Sequence, residues 1–461
     1  HDRWNGRRRF GYDEAGQLVW AADALGRVTR FEYNEAGRQV ATVDTTGARS
    51  ERVFDPMGRL VSRTDPLGRT TTYGYDKTGR LTSRTDAGGR RLEWCYDRTG
   101  RLERTLADGR LLTRVERDFA ARTLTWTSAD GERVETAWDT QGNLVRRLRD
   151  GVGVSYSYDI GGRRTGMHLP DGSSTGYEYD ANNRLAAIVR PGLGWVRIDR
   201  DRLGRVVGVH GPGLDATWTW HDGAVVANRV NRRGFIQQTR VERDRDGRVT
   251  ADVRDGLRTE YAYDRAGQLV GAVTSEGTRT SYEWDTGGRL VAETCDGQTT
   301  RHGYDRAGQL VWTRCPDGTR LTYDYDPSGR RTRETGPDGE RLFDWDPRGF
   351  LAQVTRVSRH GDQIRARRTR LHVDAGGLLA AAGDQPVHWD TAAAWPALAQ
   401  IGARTVTDAL AATALTTRTG GDDTTWLVPD TDGPAAQAPG LLAGPEALQS
   451  RLWEQAPTAA G

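Results

Sequence analysis

The 461-residue chain sets Lys+Arg 66 against Asp+Glu 63, for a net charge of +3, and carries Gly 57, Trp 15 and Tyr 15 against Phe 7. So even a balance gives no electrostatic footprint for nucleic acid, no apolar run reaches the ~20 residues of a membrane-spanning helix, and Cys95, Cys295 and Cys315 are too few and scattered for a disulfide scaffold or a CxxC metal site. The apolar share has moved from aliphatic residues into glycine and amphipathic aromatics, a profile of strands and tight turns rather than of a helical bundle. The opening His1-Asp2-Arg3-Trp4 has neither an initiator Met nor a signal peptide and reads as the start of a piece of a longer polypeptide.

A repeat then runs through most of the chain. An aromatic followed by Asp or Asn, with Gly three residues further on, opens units at Tyr12-Asp13 (Gly16), Tyr33-Asn34 (Gly37), Phe54-Asp55 (Gly58), Tyr75-Asp76 (Gly79) and Tyr96-Asp97 (Gly100), each 21 residues after the last. A degenerate copy at Arg117-Asp118 leads to Trp138-Asp139 (Gly142), Tyr158-Asp159 and Tyr179-Asp180. Three more degenerate copies, Arg200-Asp201, His221-Asp222 and Arg243-Asp244, precede Tyr263-Asp264 (Gly267), Trp284-Asp285, Tyr304-Asp305 (Gly308), Tyr325-Asp326 (Gly329) and Trp345-Asp346 (Gly349), again 20 or 21 apart. Such a phase overrides any estimate of domain number from length.

Each unit contains two turn signals. In Tyr75 to Tyr96 these are Asp76-Lys77-Thr78-Gly79 and Asp86-Ala87-Gly88-Gly89, where Asp accepts nearby amides and Gly supplies positive φ. The segments between them are about six residues long and rich in Thr, Leu and aromatics, the usual length of a strand. Alternation places Thr71, Tyr73 and Tyr75 on one face and Thr70, Thr72 and Gly74 on the other. One unit is a β-hairpin and the whole an antiparallel meander of roughly 34 strands, too long for an open twisted sheet, so the strip is expected to coil. A β-propeller would need blades of about 40 to 50 residues with their own signature, and no such double period is present.

The tail departs from this pattern. The repeat is assigned to residues 1–357, and 358–428 read as degenerate terminal strands, including Val373-Asp374-Ala375-Gly376-Gly377-Leu378 and a strand at Thr425 to Val428. Residues 429–461 read as a Pro/Ala/Gly linker with a short helix from Pro445 to Trp453.

The runs Tyr263-Asp264-Arg265-Ala266-Gly267-Gln268-Leu269 and Tyr304-Asp305-Arg306-Ala307-Gly308-Gln309-Leu310 resemble the repeat of the Rhs/YD-repeat family, which includes bacterial Rhs polymorphic toxins, the cocoon components of insecticidal toxin complexes, and teneurins. The resemblance covers residues 11 to about 357 and implies an all-β hollow shell (a β-cocoon, here partial) that encapsulates a C-terminal toxin domain until delivery. It further implies a secreted or cell-surface bacterial location, a role in interbacterial competition, and as partners that toxin domain and a secretion-apparatus or N-terminal delivery domain. The family's shell-closing, self-cleaving segment has no match here, although His388-Trp389-Asp390 and Trp395 to Ile401 resemble the stretch before it.

The remaining constellations offer little chemistry. The aspartates read as turn formers rather than calcium ladders, since the nine-residue period of such ladders is missing. His221 and His302 read as substitutes at or near aromatic positions, and Gly-x-Gly at Gly151, Gly192 and Gly211 as loops. Arg7-Arg8-Arg9 and the run Arg365 to Arg370 are expected to form cross-strand pairs with carboxylates. Cys295 and Cys315 share a phase but would lie two strands apart, about 9 to 10 Å, beyond the ~7 Å reach of a disulfide. No catalytic residue, metal or cofactor is assigned. The alternative is a cell-surface adhesin or carbohydrate-binding protein, its tryptophans and tyrosines stacking on cell-surface glycans; a self-cleaving enzyme is not expected.

Overall fold

A computed structural model describes residues 7–191, 194–360, 363–392, 396–402, 404–408, 413–417 and 425–427. The expected linker and helix of residues 429–461 lie outside them. The described residues form 41 strands, from Arg9–Tyr12 to Thr425–Leu427, and no helix. The chain divides into two compact units: His1–Leu112, Arg243–Ala251 and Leu257–Thr369 form one, and Thr113–Glu242, Asp252–Gly256 and Arg370–Gly461 the other. Within each, consecutive strands pair antiparallel, as in Leu60–Thr64 with Thr70–Tyr75 and Thr70–Tyr75 with Leu81–Thr85 in the first unit, or Val152–Tyr158 with Arg164–His168 in the second. The expected meander is therefore present.

Two chemistries reverse the chain. In the Asp-x-x-Gly turns the glycine amide donates to the aspartate carbonyl, as Gly58 does to Asp55 at 2.9 Å, and the aspartate amide closes the loop on Arg59 O at 2.9 Å. Gly58 sits at φ 85°, the left-handed position that ends a type I turn with a bulge. Elsewhere Asp-Gly pairs make two-residue turns with both φ positive, as at Asp108 (49°) with Gly109 (76°) and Asp296 (47°) with Gly297 (84°).

A register shift accompanies the repeat aromatics. Gly74 pairs with Ser83 but Tyr75 with Leu81, so Thr82 is an extra residue. The same shift falls at Glu32/Tyr33, Ala137/Trp138, Glu283/Trp284 and Asp324/Tyr325. Such bulges bend a strand and raise its twist. Simple alternation along the sequence does not contain them.

Apolar burial is uneven along the strip. In the first unit the buried apolar side chains are mostly small, among them Ala22, Ala41, Ala107 and Ala292. The second concentrates a core of Ile188, Val196, Ile198, Val206, Val209, Leu214, Ala216, Trp218, Val225 and Val230. That core spans the degenerate copies around Arg200 and His221, so branched aliphatics carry the packing where the motif fades. Val154, Tyr156, Met167, Leu169 and Ala399 form a smaller cluster.

Candidate functional site

The repeat motif itself builds a recurring cluster, and one copy shows how. Asp55 Oδ1 accepts the Arg59 amide at 2.9 Å and Oδ2 accepts Arg59 Nε at 2.6 Å. The held guanidinium donates from Nη1 to the carbonyl of Asp76, in the next repeat, at 2.9 Å. It also lies over the Tyr75 ring, 5.1 Å from its centroid. Tyr75 in turn donates its hydroxyl to Leu60 O at 2.8 Å. Leu60 is the residue the bulge sets opposite Phe54, the aromatic of the preceding repeat. Aspartate, arginine and aromatic thus join neighbouring hairpins as one unit.

The staple recurs. Tyr33, Tyr75, Tyr96, Tyr158, Tyr179, Tyr263, Tyr304 and Tyr325 each donate a hydroxyl to a carbonyl 14 or 15 residues back. Trp284 and Trp345 do so through the indole, to Leu269 O at 2.7 Å and Arg331 O at 2.8 Å. Both aromatic types carry a polar tip, which Phe lacks, and this accounts for the scarcity of phenylalanine. Arg80, Arg163, Arg248, Arg289 and Arg330 stack over Tyr96, Tyr179, Tyr263, Tyr304 and Trp345 as Arg59 does over Tyr75.

Asp13, Asp97, Asp139, Asp159, Asp180, Asp264, Asp285, Asp305, Asp326 and Asp346 accept the amide four residues on, like Asp55 and Asp76. Gly16, Gly37, Gly79, Gly100, Gly142, Gly267, Gly308, Gly329 and Gly349 share the left-handed φ of Gly58. The Arg59 amide is the first cause holding Asp55 below the usual carboxylate range. At Asp76, desolvation opposes ionisation but is outweighed by the Thr78 hydroxyl, the Arg80 amide and the Arg80 guanidinium, so its pKa is also lowered.

Three motif aromatics stand apart. Phe54 has no donor, Tyr12 is 62% exposed, and the recorded bond of Trp138 is from its backbone amide to Arg122 O at 3.1 Å. At the degenerate copy at 200, Arg200 Nη2 reaches Leu185 O at 3.4 Å, the carbonyl a tyrosine would take. Two histidine assignments need correction. At the copy read as His221-Asp222 the staple comes from Trp220, whose Nε1 donates to Val206 O at 2.8 Å, because a two-residue Asp222-Gly223 turn displaces the motif by one. His302 instead pairs Nδ1 with Thr313 Oγ1 across the strands at 3.1 Å, and Tyr304 holds the aromatic position.

The meander also meets itself at a distance in sequence. In the first unit Arg27 Nη1 donates to Gln268 Oε1 at 2.9 Å, Arg69 Nη1 to Gln309 Oε1 at 2.7 Å, and Arg90 Nη1 to Asp346 O at 2.8 Å. Thr45 Oγ1 donates to Thr286 O at 2.5 Å. These contacts join the second turns of the early repeats to the motif turns of the late ones, 240 to 256 residues apart. In the second unit Arg147 pairs with Asp374 at 2.7 Å and Arg164 with Asp390 at 2.5 Å, while Glu132 Oε1 accepts the Ala375 amide at 2.9 Å. Tyr156 Oη accepts the Thr391 amide at 2.8 Å, and burial, with the Asp390 carboxylate adding to it, pushes its hydroxyl up to about 12. Asp374, only 2% exposed, also accepts the Leu378 amide at 3.0 Å. No local pattern in the sequence reveals these seams.

The arginine run behaves otherwise than expected. Arg365, Arg367, Arg368 and Arg370 are exposed and make no ion pair among the described residues. Ser157 Oγ lies 2.9 Å from His168 Nε2 across two strands, but among the described residues no carboxylate orients the imidazole. Cys95, Cys295 and Cys315 are unpaired thiols. Among the described residues no three His, Cys, Asp or Glu side chains gather as metal ligands.

Turn clamp, stacked arginine and stapled aromatic define an all-β repeat protein whose neighbouring hairpins are joined edge to edge. The RHS Repeat family matches residues 12–49, 54–91, 76–111, 138–175, 162–193, 263–295 and 304–341. The chain belongs to the RHS-repeat family, also called the YD-repeat family. No curated protein matches the sequence. Among solved structures, the Tc holotoxin pore of Photorhabdus luminescens is similar with a TM-score of 0.60 at 14% identity, over 89% of this chain and 25% of that one. A TcdB2–TccC3 crystal structure without its hypervariable C-terminal region gives 0.53 at 14% identity, over 91% of this chain and 29% of that one. The likeness is one of fold, and this chain spans about a quarter of the length of those chains.

Proposed function

We propose that this chain is a length of the wall of a container that holds a toxin domain supplied by the same polypeptide. The observation that carries the reading is the pair of seams. In the first unit turns 240 or more residues apart in sequence meet, and in the second the strand residues Arg147 and Arg164 reach Asp374 and Asp390, more than 220 residues further on, as a strip must if it winds and its successive courses bond together. Staples join hairpins along the strip, and the seams would join one course to the next. Such a wall resists local opening, because each hairpin is held along the strip and across it. The work is mechanical and electrostatic, with no chemical step. A bacterial, secreted or cell-surface location, and delivery by a further domain, belong to this proposal.

The adhesin reading loses its motive, because most of the motif aromatics already spend their polar tips on carbonyls and, among the described residues, eight carry a guanidinium on a ring face. Limited proteolysis tests the container. In a polypeptide that joins this chain to the proposed toxin domain, that domain should resist protease, and Asp374→Ala, which cuts a seam pair, should speed its cleavage. Equal cleavage rates in the parent and the variant, both fast, would overturn the proposal.

A further inference from the structure

Along the seam of the first unit, the facing positions differ in length and charge. Arg27 faces Gln268 and Arg69 faces Gln309. Between these two contacts the turn that begins at Asp44 offers Ala48 at the equivalent position, which is too short to reach across. An opening of about 330 Å³ remains beside this turn, lined by Asp44, Arg63, Asp65, Arg69, Arg289 and Arg306. This is the lower end of the size of small-ligand pockets.

The two carboxylates are already engaged. Asp44 Oδ1 accepts the Thr46 amide at 2.8 Å, the Thr46 hydroxyl at 2.6 Å and the Ala48 amide at 2.9 Å. Asp65 Oδ2 holds Arg69 Nε at 2.6 Å. Arg289 is fixed by Asp285 Oδ2 at 2.6 Å and by the Asp305 carbonyl at 3.1 Å. The side chains of Arg63 and Arg306 are exposed and make no hydrogen bond or ion pair among the described residues. Arg63 is also the direct cross-strand partner of Arg52, a like-charge pairing that costs stability unless an anion offsets it. Arginines thus outnumber carboxylates around this opening in the seam, and two of them are unpaired.

We propose that this opening binds an oxyanion of the phosphate or sulfate class, gripped by Arg63 from one length of meander and Arg306 from the other. Planar guanidinium donors match such oxyanions, and a bound ion would add a charged tie beside the Thr45–Thr286 contact, where Ala48 offers no side-chain donor. The proposal rests on the observed seam and not on the container reading, so it stands or falls separately.

Isothermal titration of the full chain at low ionic strength tests it, with inorganic phosphate in one arm and glucose 6-phosphate in the other. One saturable site per chain is expected, and Arg63→Ala and Arg306→Ala should each weaken it about tenfold, the scale of one lost charge-assisted contact. Arg265→Ala, at the same turn position two repeats earlier and outside the opening, should leave binding unchanged. Tighter binding of the sugar phosphate identifies a phosphorylated sugar as the ligand, and equal binding identifies the free ion. Both Ala variants remove exposed side chains, and in anion-free buffer Arg63→Ala should melt no lower than the parent because repulsion with Arg52 is relieved. No saturable heat, or an equal loss with Arg265→Ala, would overturn the proposal and leave only general attraction to an arginine-rich surface.

Discussion

Phe54 lacks the hydroxyl that eight motif tyrosines donate, so Phe54→Tyr should add one staple. The acceptor follows from the rule that each staple reaches the residue paired with the preceding aromatic. Tyr33 pairs with Gln39, so the new hydroxyl would meet Gln39 O, as Tyr75 meets Leu60 O at 2.8 Å. A net intramolecular hydrogen bond is worth about 0.5–1.5 kcal/mol, and the half-buried setting favours the lower part of that range. In the opposite direction, Tyr75→Phe leaves the Leu60 carbonyl without its donor and should cost about 1–2 kcal/mol. Tyr12→Phe is the control: its hydroxyl has no acceptor among the described residues, and stability should stay within about 0.5 kcal/mol. Urea unfolding of the three variants beside the parent provides the comparison. If Phe54→Tyr gains nothing while Tyr75→Phe loses no more than Tyr12→Phe, the staple is a geometric coincidence and not a source of stability.

Further outcomes follow from the same geometry. A Cβ at Gly303 would lie 2.0 Å from Trp312 Nε1, so Gly303→Ala should cost about 1–3 kcal/mol by calorimetry. Asp374→Ala leaves Arg147 part-buried and without this partner, and a loss of about 3–5 kcal/mol is expected, against less than about 0.5 kcal/mol for the exposed Arg367→Ala. The clamp aspartates Asp55, Asp76, Asp97, Asp159 and Asp180 have lowered pKa values, so below the unfolded value of about 3.9 the native state binds fewer protons than the unfolded chain. Their stabilisation is complete above that value and is lost as pH falls through the folded values, so melting temperature should drop steeply below about pH 4. Tyr156 acts at the other end: its raised pKa keeps it protonated while the unfolded chain ionises, so its contribution is lost between about pH 10 and about 12.

Local chemistry made much of this fold legible. The spacing of Tyr75, Asp76 and Gly79 encodes a turn by backbone rules alone, and those rules repeat. The same reading missed Thr82, because a bulge is a property of two strands in register and not of either sequence. It misplaced the motif at His221 because Asp222-Gly223 reverses the chain in two residues where Asp-x-x-Gly takes four. It also expected partners for Arg365 to Arg370 on compositional grounds, when the exposed strand brings them no carboxylate. The Tyr and Trp preference was visible as composition, but its cause, a carbonyl 14 or 15 residues back, needed the structure. The seams were the least accessible: nothing near Arg69 indicates Gln309, because their contact depends on the path of the intervening strip.

Cryo-electron microscopy of a polypeptide that carries this chain together with the toxin domain proposed above tests the container most directly. The account predicts continuous strand density winding around an interior that holds weak, unassigned protein density. A solid body without an interior, or a following domain folded outside the strands, would contradict it.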